Sequence, residues 1–286
     1  MVRCREIGAT DLDSVADLLT RGFGWRSRGY WISGLRRLSL REAPEGFPRF
    51  GYMLVHDARP VGALLLIYTA RNDSSGTSIR CNLSSWYVEP DYRNYAPMLA
   101  KLAQRHKDVT YVNISPALWT FQTIEAQGFQ RYCNGLFFSI PALSRPRKGI
   151  RVEIVGKDAQ MVDGLSDADA ALLARHATDG CLSLVCREAE GHASPFVLQP
   201  MRVGRISLPA MLIIYCRDVA EYVACAGAIG RFVLRRGRIA VAFDANDRVK
   251  DLVGLYRKRI GSKYFKGPRC PRLADLSDSE LVIFGP

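Results

Sequence analysis

The sequence predicts an α/β protein made of two similar domains in tandem. Three observations carry this. Strand-like and helix-like segments alternate along all 286 residues. Their order (strand, helix, strands, helix, strand, helix, strand) runs once over residues 1–143 and again over 150–286. Between the two runs, PALSRPRKG (141–149) is rich in proline, glycine and cations, the composition of an interdomain linker.

The elements of the first half follow from pattern. Val2–Ile7 alternates weakly and reads as a strand. Thr10, with Asp13 three residues on, reads as the cap of a helix whose apolar face is Val15, Leu18, Leu19 and Phe23. Tyr30–Leu40 reads as a short helix in a segment rich in arginine, glycine and aromatics. Tyr52–His56 and Val61–Ala70 read as a hairpin turning at Asp57–Pro60, and Asn72–Gly76 as the next turn. Ile79–Val88 is a strand, Met98–His106 a helix with Pro97 in its first turn, and Val109–Ile114 a strand. Ala117–Gln127 reads as a helix closed by Gly128, with Ser115–Pro116 available as its cap, and Tyr132–Ile140 as a strand.

In the second half, Val155-Gly156 with Asp158 and Val162 echoes Ile7-Gly8 with Asp11 and Val15. Phe196–Val203, Leu208–Cys216 and Ile239–Asp244 read as strands, Val219–Arg235 and Val249–Arg259 as helices, and Leu281–Phe284 as a terminal strand. Lys263–Pro268 interleaves cations and aromatics. It reads as an edge strand and turn more readily than as an anion site.

Residues 86–129 hold the chemistry. A strand feeds a helix start through a turn, Tyr92 to Met98, that contains Arg93. Helix starts present unpaired N–H groups and a partial positive charge, and a guanidinium adds a charge-assisted contact. The turn is therefore a candidate phosphate cradle. Asn94 tolerates the left-handed backbone such a turn needs.

This stretch resembles the core of the GNAT (N-acetyltransferase) superfamily. That family's phosphate loop reads Gln/Arg-x-x-Gly-x-Gly/Ala after a V-x-P strand exit. Val88, Pro90 and Arg93 stand in those places, with Ala96 and Met98 at the two small positions. The resemblance implies a mixed, mostly antiparallel twisted sheet flanked by helices in each half. It implies acetyl-CoA or another acyl-CoA as co-substrate, held by Val88, Arg93, Asn94, Tyr95, Ala96, Pro97 and Met98. It implies an amine acceptor, a small molecule or a protein, bound near Trp25–Trp31. Glu89, just past the strand, is the nearest acid to a general base. Asn113 matches a position often polar in the family, and Ser115 follows it. The family's acid, a tyrosine four residues before the Gly-Phe that closes the helix, is Ile124 here. The second half lacks the loop between Cys216 and Glu221 and reads as a degenerate copy.

Composition narrows the alternatives. The chain is 48% hydrophobic and 24% charged, with a net charge of +12. Its halves carry +5 (1–143) and +7 (144–286), so neither is a separate basic tail. No Lys/Arg run is long enough for a nucleic-acid arm; LRRGR (234–238) is the densest. The longest apolar runs, VGALLLI and LPAMLIIYC, fall short of the roughly 18–20 residues a membrane helix needs. The N-terminus has no apolar signal core. Eight cysteines without metal spacing suit a reducing cytoplasm. His56, His106, His176 and His192 form no triad or metal pattern, and no base lies near Cys186 in sequence. Two functions remain: an acyl-CoA-dependent N-acyltransferase, or a non-catalytic tandem module that binds an anionic ligand or a protein partner. Ala96, Met98 and Ile124 argue for the second, and the phosphate cradle around Arg93 keeps the transferase first.

Overall fold

The computed structural model describes residues 1–73, 76–145, 147, 149–159, 161–204 and 207–285. The chain divides into two compact units. Unit 1 is Met1–Ile114 with Phe265–Cys270 and Asp278–Gly285; unit 2 is Ser115–Tyr264 with Pro271–Ser277.

Unit 1 opens with β1 (Val2–Glu6) and α1 (Leu12–Gly22). Thr10 is not the helix cap. A 3-10 turn over Ala9–Asp11 leads into α1, and Gly8 N–H donates to Asp11 Oδ2 at 2.8 Å. Arg5 grips the same carboxylate through two 2.7 Å bonds. A carboxylate can accept from an orphan amide and from both arms of a guanidinium, three bonds where a hydroxyl oxygen has two lone pairs. The Arg5 hydrogen bonds hold the Asp11 carboxyl below its usual range.

Helix α2 (Arg28–Ser39) starts where Ser27 Oγ accepts from Tyr30 N–H at 3.2 Å. Strands β2 (Gly51–His56) and β3 (Arg59–Asp73) form a hairpin. Its turn residues Asp57 and Ala58 both have positive φ, as a two-residue hairpin turn requires. The turn read at 72–76 centres on Ser74 and Ser75, outside the described residues. Strand β4 (Gly76–Val88), helix α3 (Ala96–Ala103) and strand β5 (Thr110–Asn113) complete the run. The strand order is β1-β2-β3-β4-β5; β4 and β5 are parallel and the other neighbours antiparallel. Ala63, Leu65 and Ile67, on one face of β3, pack under Val15, Leu18 and Leu19 of α1 and Trp31, Leu35 and Leu38 of α2.

Unit 2 begins with a 3-10 turn at Leu118–Thr120 and α4 (Phe121–Ala126). Gly128 closes this helix at φ 86°, as its position suggests. Ala117, not Ser115, precedes the first helical residue. Then come β6 (Gln130–Ser139), β7 (Arg151–Ile154), α5 (Asp167–Thr178), β8 (Leu182–Arg187) and β9 (Ala193–Val203). The rest are β10 (Leu208–Cys216), α6 (Val219–Leu234), β11 (Ala240–Ala245) and β12 (Gly254–Lys266), whose last two residues fall in unit 1. The order is β12-β6-β11-β10-β9-β8-β7. Strands β7 to β10 pair antiparallel and β10–β11 pair in parallel, repeating the scheme of β1 to β5.

β6 pairs antiparallel with β11, from Ser139↔Val241 to Gly135↔Ala245. That pairing counts β6 with unit 2, so the compact units part at Ile114/Ser115. The sequence boundary lies further on, at 141–149. Pro141–Leu143 is a 3-10 turn packed on α6, where a Cβ on Gly230 would lie 2.3 Å from Pro141 C and Ala142 N. Pro146 and Lys148 lie outside the described residues.

Two elements differ in type from the sequence reading. Val249–Arg259 is not a helix; β12 begins at Gly254. Its 3–4-residue apolar spacing mimics a helix, but Gly254 and Gly261 interrupt it. A Cβ at Gly254 would sit 2.3 Å from Phe138 O of β6. Leu281–Phe284 is not a strand but part of a short helix, α7 (Glu280–Phe284), with Val282, Ile283 and Phe284 buried in unit 1. Helix α5 and strand β8 add elements the sequence reading lacks. The turn at Val155-Gly156 is real, but its helix starts only after Ser166, whose Oγ accepts from Asp169 N–H.

Candidate functional site

The site grows from a parting of strands in unit 1. β4 and β5 pair over Arg80↔Thr110, Cys81↔Tyr111 and Asn82↔Val112, and then separate. Parallel strands held at one end and open at the other form a fork, with one edge of β4 turned into it. On its other edge β4 stays paired to β3 until Glu89 N–H donates to Val61 O at 2.9 Å. The β3–β4 register slips between Ala63 and Leu65, and Ser85 takes φ 51°. This bulge re-aims the strand. It also breaks the two-residue alternation of side chains along β4.

Val88 ends β4, buried at 8% exposure. Glu89 follows, its carboxylate enclosed by two arginines. Arg21 Nη2 reaches Oε1 at 2.9 Å; Arg59 reaches Oε1 at 3.0 Å and Oε2 at 2.8 Å. These bonds tie the β4 exit to α1 and β3, and they hold the Arg59 guanidinium above its ordinary value. A carboxylate whose two oxygens both accept from guanidiniums acts as an anchor.

Pro90–Tyr95 then winds as a 3-10 helix running straight into α3. Tyr92 N–H donates to Glu89 O at 2.9 Å and Ala96 N–H to Arg93 O, while Pro97 has no N–H. Several amides of the expected cradle are therefore used within the turn. What faces outward is side chain. Arg93, Asn94 and Pro97 are exposed, Tyr95 is 40% exposed and Met98 41%. Among the described residues Arg93 has no ion-pair partner. Tyr92 OH hydrogen-bonds His56 Nδ1 at 2.9 Å, fixing the turn to the β2–β3 hairpin.

Asn113 ends β5, half-buried beyond the last paired residue. Ser115 is exposed and falls in unit 2. Ile124, at the family's acid position, is buried at 4% exposure and serves as core. The aromatics of the α1–α2 region gather. Phe23 lies 5.5 Å from Trp25, 5.4 Å from Trp31 and 6.2 Å from Tyr87, and Trp25 is 72% exposed. Tyr87 covers Gly22 so closely that a Cβ there would lie 2.4 Å from its ring.

Asn82 is the residue that sequence reasoning missed. It is buried at 3% exposure, and its Nδ2 donates to Leu83 O at 3.0 Å and Val112 O at 3.3 Å. A buried amide in an apolar strand, RCNLSSW, is the signal that could have found it.

Unit 2 has a matching fork. β10 and β11 pair in parallel from Ala210↔Ala240 to Leu212↔Ala242. The chain itself fills it. Cys216 N–H donates to Ala274 O at 3.0 Å, Leu276 N–H donates to Ile214 O at 2.7 Å, and Tyr215 bridges Asp275. Nearby Asp244 and Lys263 form a buried pair at 2.6 Å. The following turn carries no exposed arginine: Arg217 bonds Glu221 and Ala193 O. Among the described residues no acidic, histidine and cysteine side chains cluster as a metal site, and no helix is long and apolar enough to cross a membrane.

No family model and no curated protein matches this sequence. Solved structures do match in shape. A GCN5-related N-acetyltransferase from Anabaena variabilis aligns with a TM-score of 0.61 at 11% identity, over 93% of this chain and 72% of that one. A probable N-acyltransferase of unknown function from Enterococcus faecalis gives 0.59 at 12% identity, over 97% and 74%. A tandem GNAT protein from the clavulanic acid biosynthesis pathway gives 0.52 at 14% identity, over 94% of this chain and all of that one. The chain therefore has the fold of the GNAT superfamily, in its tandem form.

Proposed function

We propose that unit 1 binds acyl-CoA, acetyl-CoA first among candidates, and transfers the acyl group to an amine. The supporting observation is the parting of β4 and β5 after Asn82 and Val112, followed by a turn that presents Arg93 to solvent. An acyl-CoA arm would lie in the fork. Its phosphates would meet Arg93 and the outer surface of Asn94, Tyr95, Ala96, Pro97 and Met98, beside Val88. Arg93 contributes charge where few amides remain to donate. Tyr92, held by His56, positions the turn, and Glu89, held by Arg21 and Arg59, positions the strand exit.

In the reaction the neutral amine attacks the thioester carbonyl, a C–N bond forms, and the C–S bond breaks to release the thiolate. The proton that the amine loses passes through solvent to the thiolate, giving the free thiol. Catalysis then rests on placing two reactants together, a contribution that can be large. Glu89 is the nearest carboxylate for proton removal, and it can act only by releasing a guanidinium. Asn113 at the end of β5 supplies a polar contact to the arm. Ser115 is a weaker candidate, since it belongs to the other unit.

A second reading has its own support. The filled fork of unit 2 and the enclosed Glu89 both suit a non-catalytic module that binds an anionic ligand. Thiol release from acetyl-CoA, followed over a panel of amines, separates the two. Turnover above the spontaneous rate that disappears in Arg93→Ala supports the transferase. Binding without thiol release for any amine supports the module.

A further inference from the structure

Residues Asp278–Gly285 belong to unit 1 and take no part in the reading above. They hold the unit at three points. Asp278, 2% exposed, accepts from Arg41 Nη2 at 2.5 Å and lies 4.0 Å from Arg71 Nη2. Its backbone is left-handed at φ 59°, a conformation a non-glycine residue keeps only when its surroundings hold it. Glu280 N–H then donates to Asn82 Oδ1 at 2.7 Å. Asn82 is the last β4 residue paired to β5, and its Nδ2 already bonds Val112 O. One amide side chain thus joins both parting strands to this segment. Finally, Phe284 seats on α2, its ring 5.8 Å from Trp31 and 6.2 Å from Tyr30.

Unit 2 offers an internal comparison. Its fork is filled by main chain bonded to main chain, as a single antiparallel bridge. Opening it would break two backbone hydrogen bonds. In unit 1 two contacts of this segment run through side chains: Asn82 Oδ1 accepts from Glu280 N–H, and Asp278 accepts from Arg41.

We propose that Asp278–Phe284 is an autoinhibitory strap across the unit 1 fork. It is latched by Asp278 on Arg41 and Glu280 on Asn82, and anchored by Phe284. The strap lifts at the latch before an acyl-CoA arm passes between β4 and β5. This rests on the acyl-CoA reading of the same fork.

The test is amide hydrogen exchange on the full chain, in the wild type and in Asp278→Asn. Asparagine tolerates the left-handed backbone, so the variant removes the charge and one of the two acceptor oxygens without straining the chain. The strap predicts that amides 280–284 exchange at least about tenfold faster in the variant, while β2, β3 and β4 keep their protection. Acetyl-CoA should bind the variant more tightly, and in the wild type it should speed exchange at 280–284 while protecting 92–99. Faster exchange at 280–284 only together with β2 to β4 would make the segment an ordinary core element and overturn the proposal. Equal affinity in both proteins, with 92–99 protected and 280–284 unchanged, would overturn the strap and leave the cofactor reading standing. No acetyl-CoA effect in either protein would remove the cofactor reading and the strap with it.

Discussion

Gly34→Ala tests the placement of Phe284, because two opposing terms give opposite signs. Gly34 lies inside α2 at ordinary helical φ, so alanine alone should stabilise the helix by about 1 kcal/mol. A Cβ there, however, would sit 2.0 Å from Phe284 Cδ1 and 2.3 Å from Cε1, where ordinary contact begins near 3.4 Å. The ring must move by more than an ångström, and Trp31 and Tyr30 flank it. Overpacking of this kind costs about 1–3 kcal/mol. Expelling the ring instead forfeits about 1.5–3 kcal/mol of burial. Either cost meets or exceeds the propensity gain, so Gly34→Ala should lower stability by up to about 2 kcal/mol. Urea unfolding followed by tryptophan fluorescence measures it, with Trp31 close enough to report. In a Phe284→Ala background the same substitution should become stabilising, because only propensity remains. A coupling of about 1–3 kcal/mol between the two sites is expected. If Gly34→Ala stabilises the otherwise wild-type protein by the full propensity value, Phe284 does not lie on α2, and the strap loses its anchor.

Other outcomes follow from buried groups. Lys263→Met should destabilise by about 3–5 kcal/mol, because it strands the buried Asp244 carboxylate, while Lys263→Met with Asp244→Leu should cost less than Lys263→Met alone in the same urea titration. Gly230→Ala should cost about 1–3 kcal/mol if the turn at Pro141–Leu143 is docked on α6, and should be neutral or stabilising if that segment is a free linker. A disulfide reagent at pH 8 should label the exposed Cys270 promptly, with half-buried Cys4 slower. Burial and Asp244 push the Cys133 thiol up to about 11, so raising the pH to about 9 should not recruit it; rapid labelling of Cys133 would contradict its packing.

Local signals made much of the fold legible. β10 and α6 match their sequence limits closely because LPAMLIIYC is a short apolar run and Asp218 caps the helix that follows. The β2–β3 hairpin and Gly128 rest on turn chemistry, which is also local. The misreadings arise where partners decide. Val249–Arg259 carries helix-like spacing, and the neighbouring β6, with Gly254 fitted against Phe138 O, makes a strand from Gly254 on. Leu281–Phe284 is a four-residue apolar piece whose type its packing sets. Helix α5 did carry a signal, Ser166 followed by Asp169 and an Ala/Leu-rich stretch. At the site, Arg93 and the β4 exit could be read from spacing. The enclosure of Glu89 by Arg21 and Arg59, and the bond from Glu280 to Asn82 across 198 residues, could not. Sequence distance hides contacts that only the closed fold creates.

The account stands on whether the turn after β4 grips a coenzyme diphosphate. Thermal unfolding of the full chain with acetyl-CoA measures this directly. At about 100 times the dissociation constant the ligand should add roughly 2.7 kcal/mol, a rise on the order of 5–10 °C in Tm. Loss of one charge-assisted contact in Arg93→Ala should weaken binding about 10- to 150-fold and remove from about half to nearly all of that rise at the same ligand concentration. An unchanged Tm in the wild type at millimolar acetyl-CoA, or an equal rise in Arg93→Ala, would contradict it.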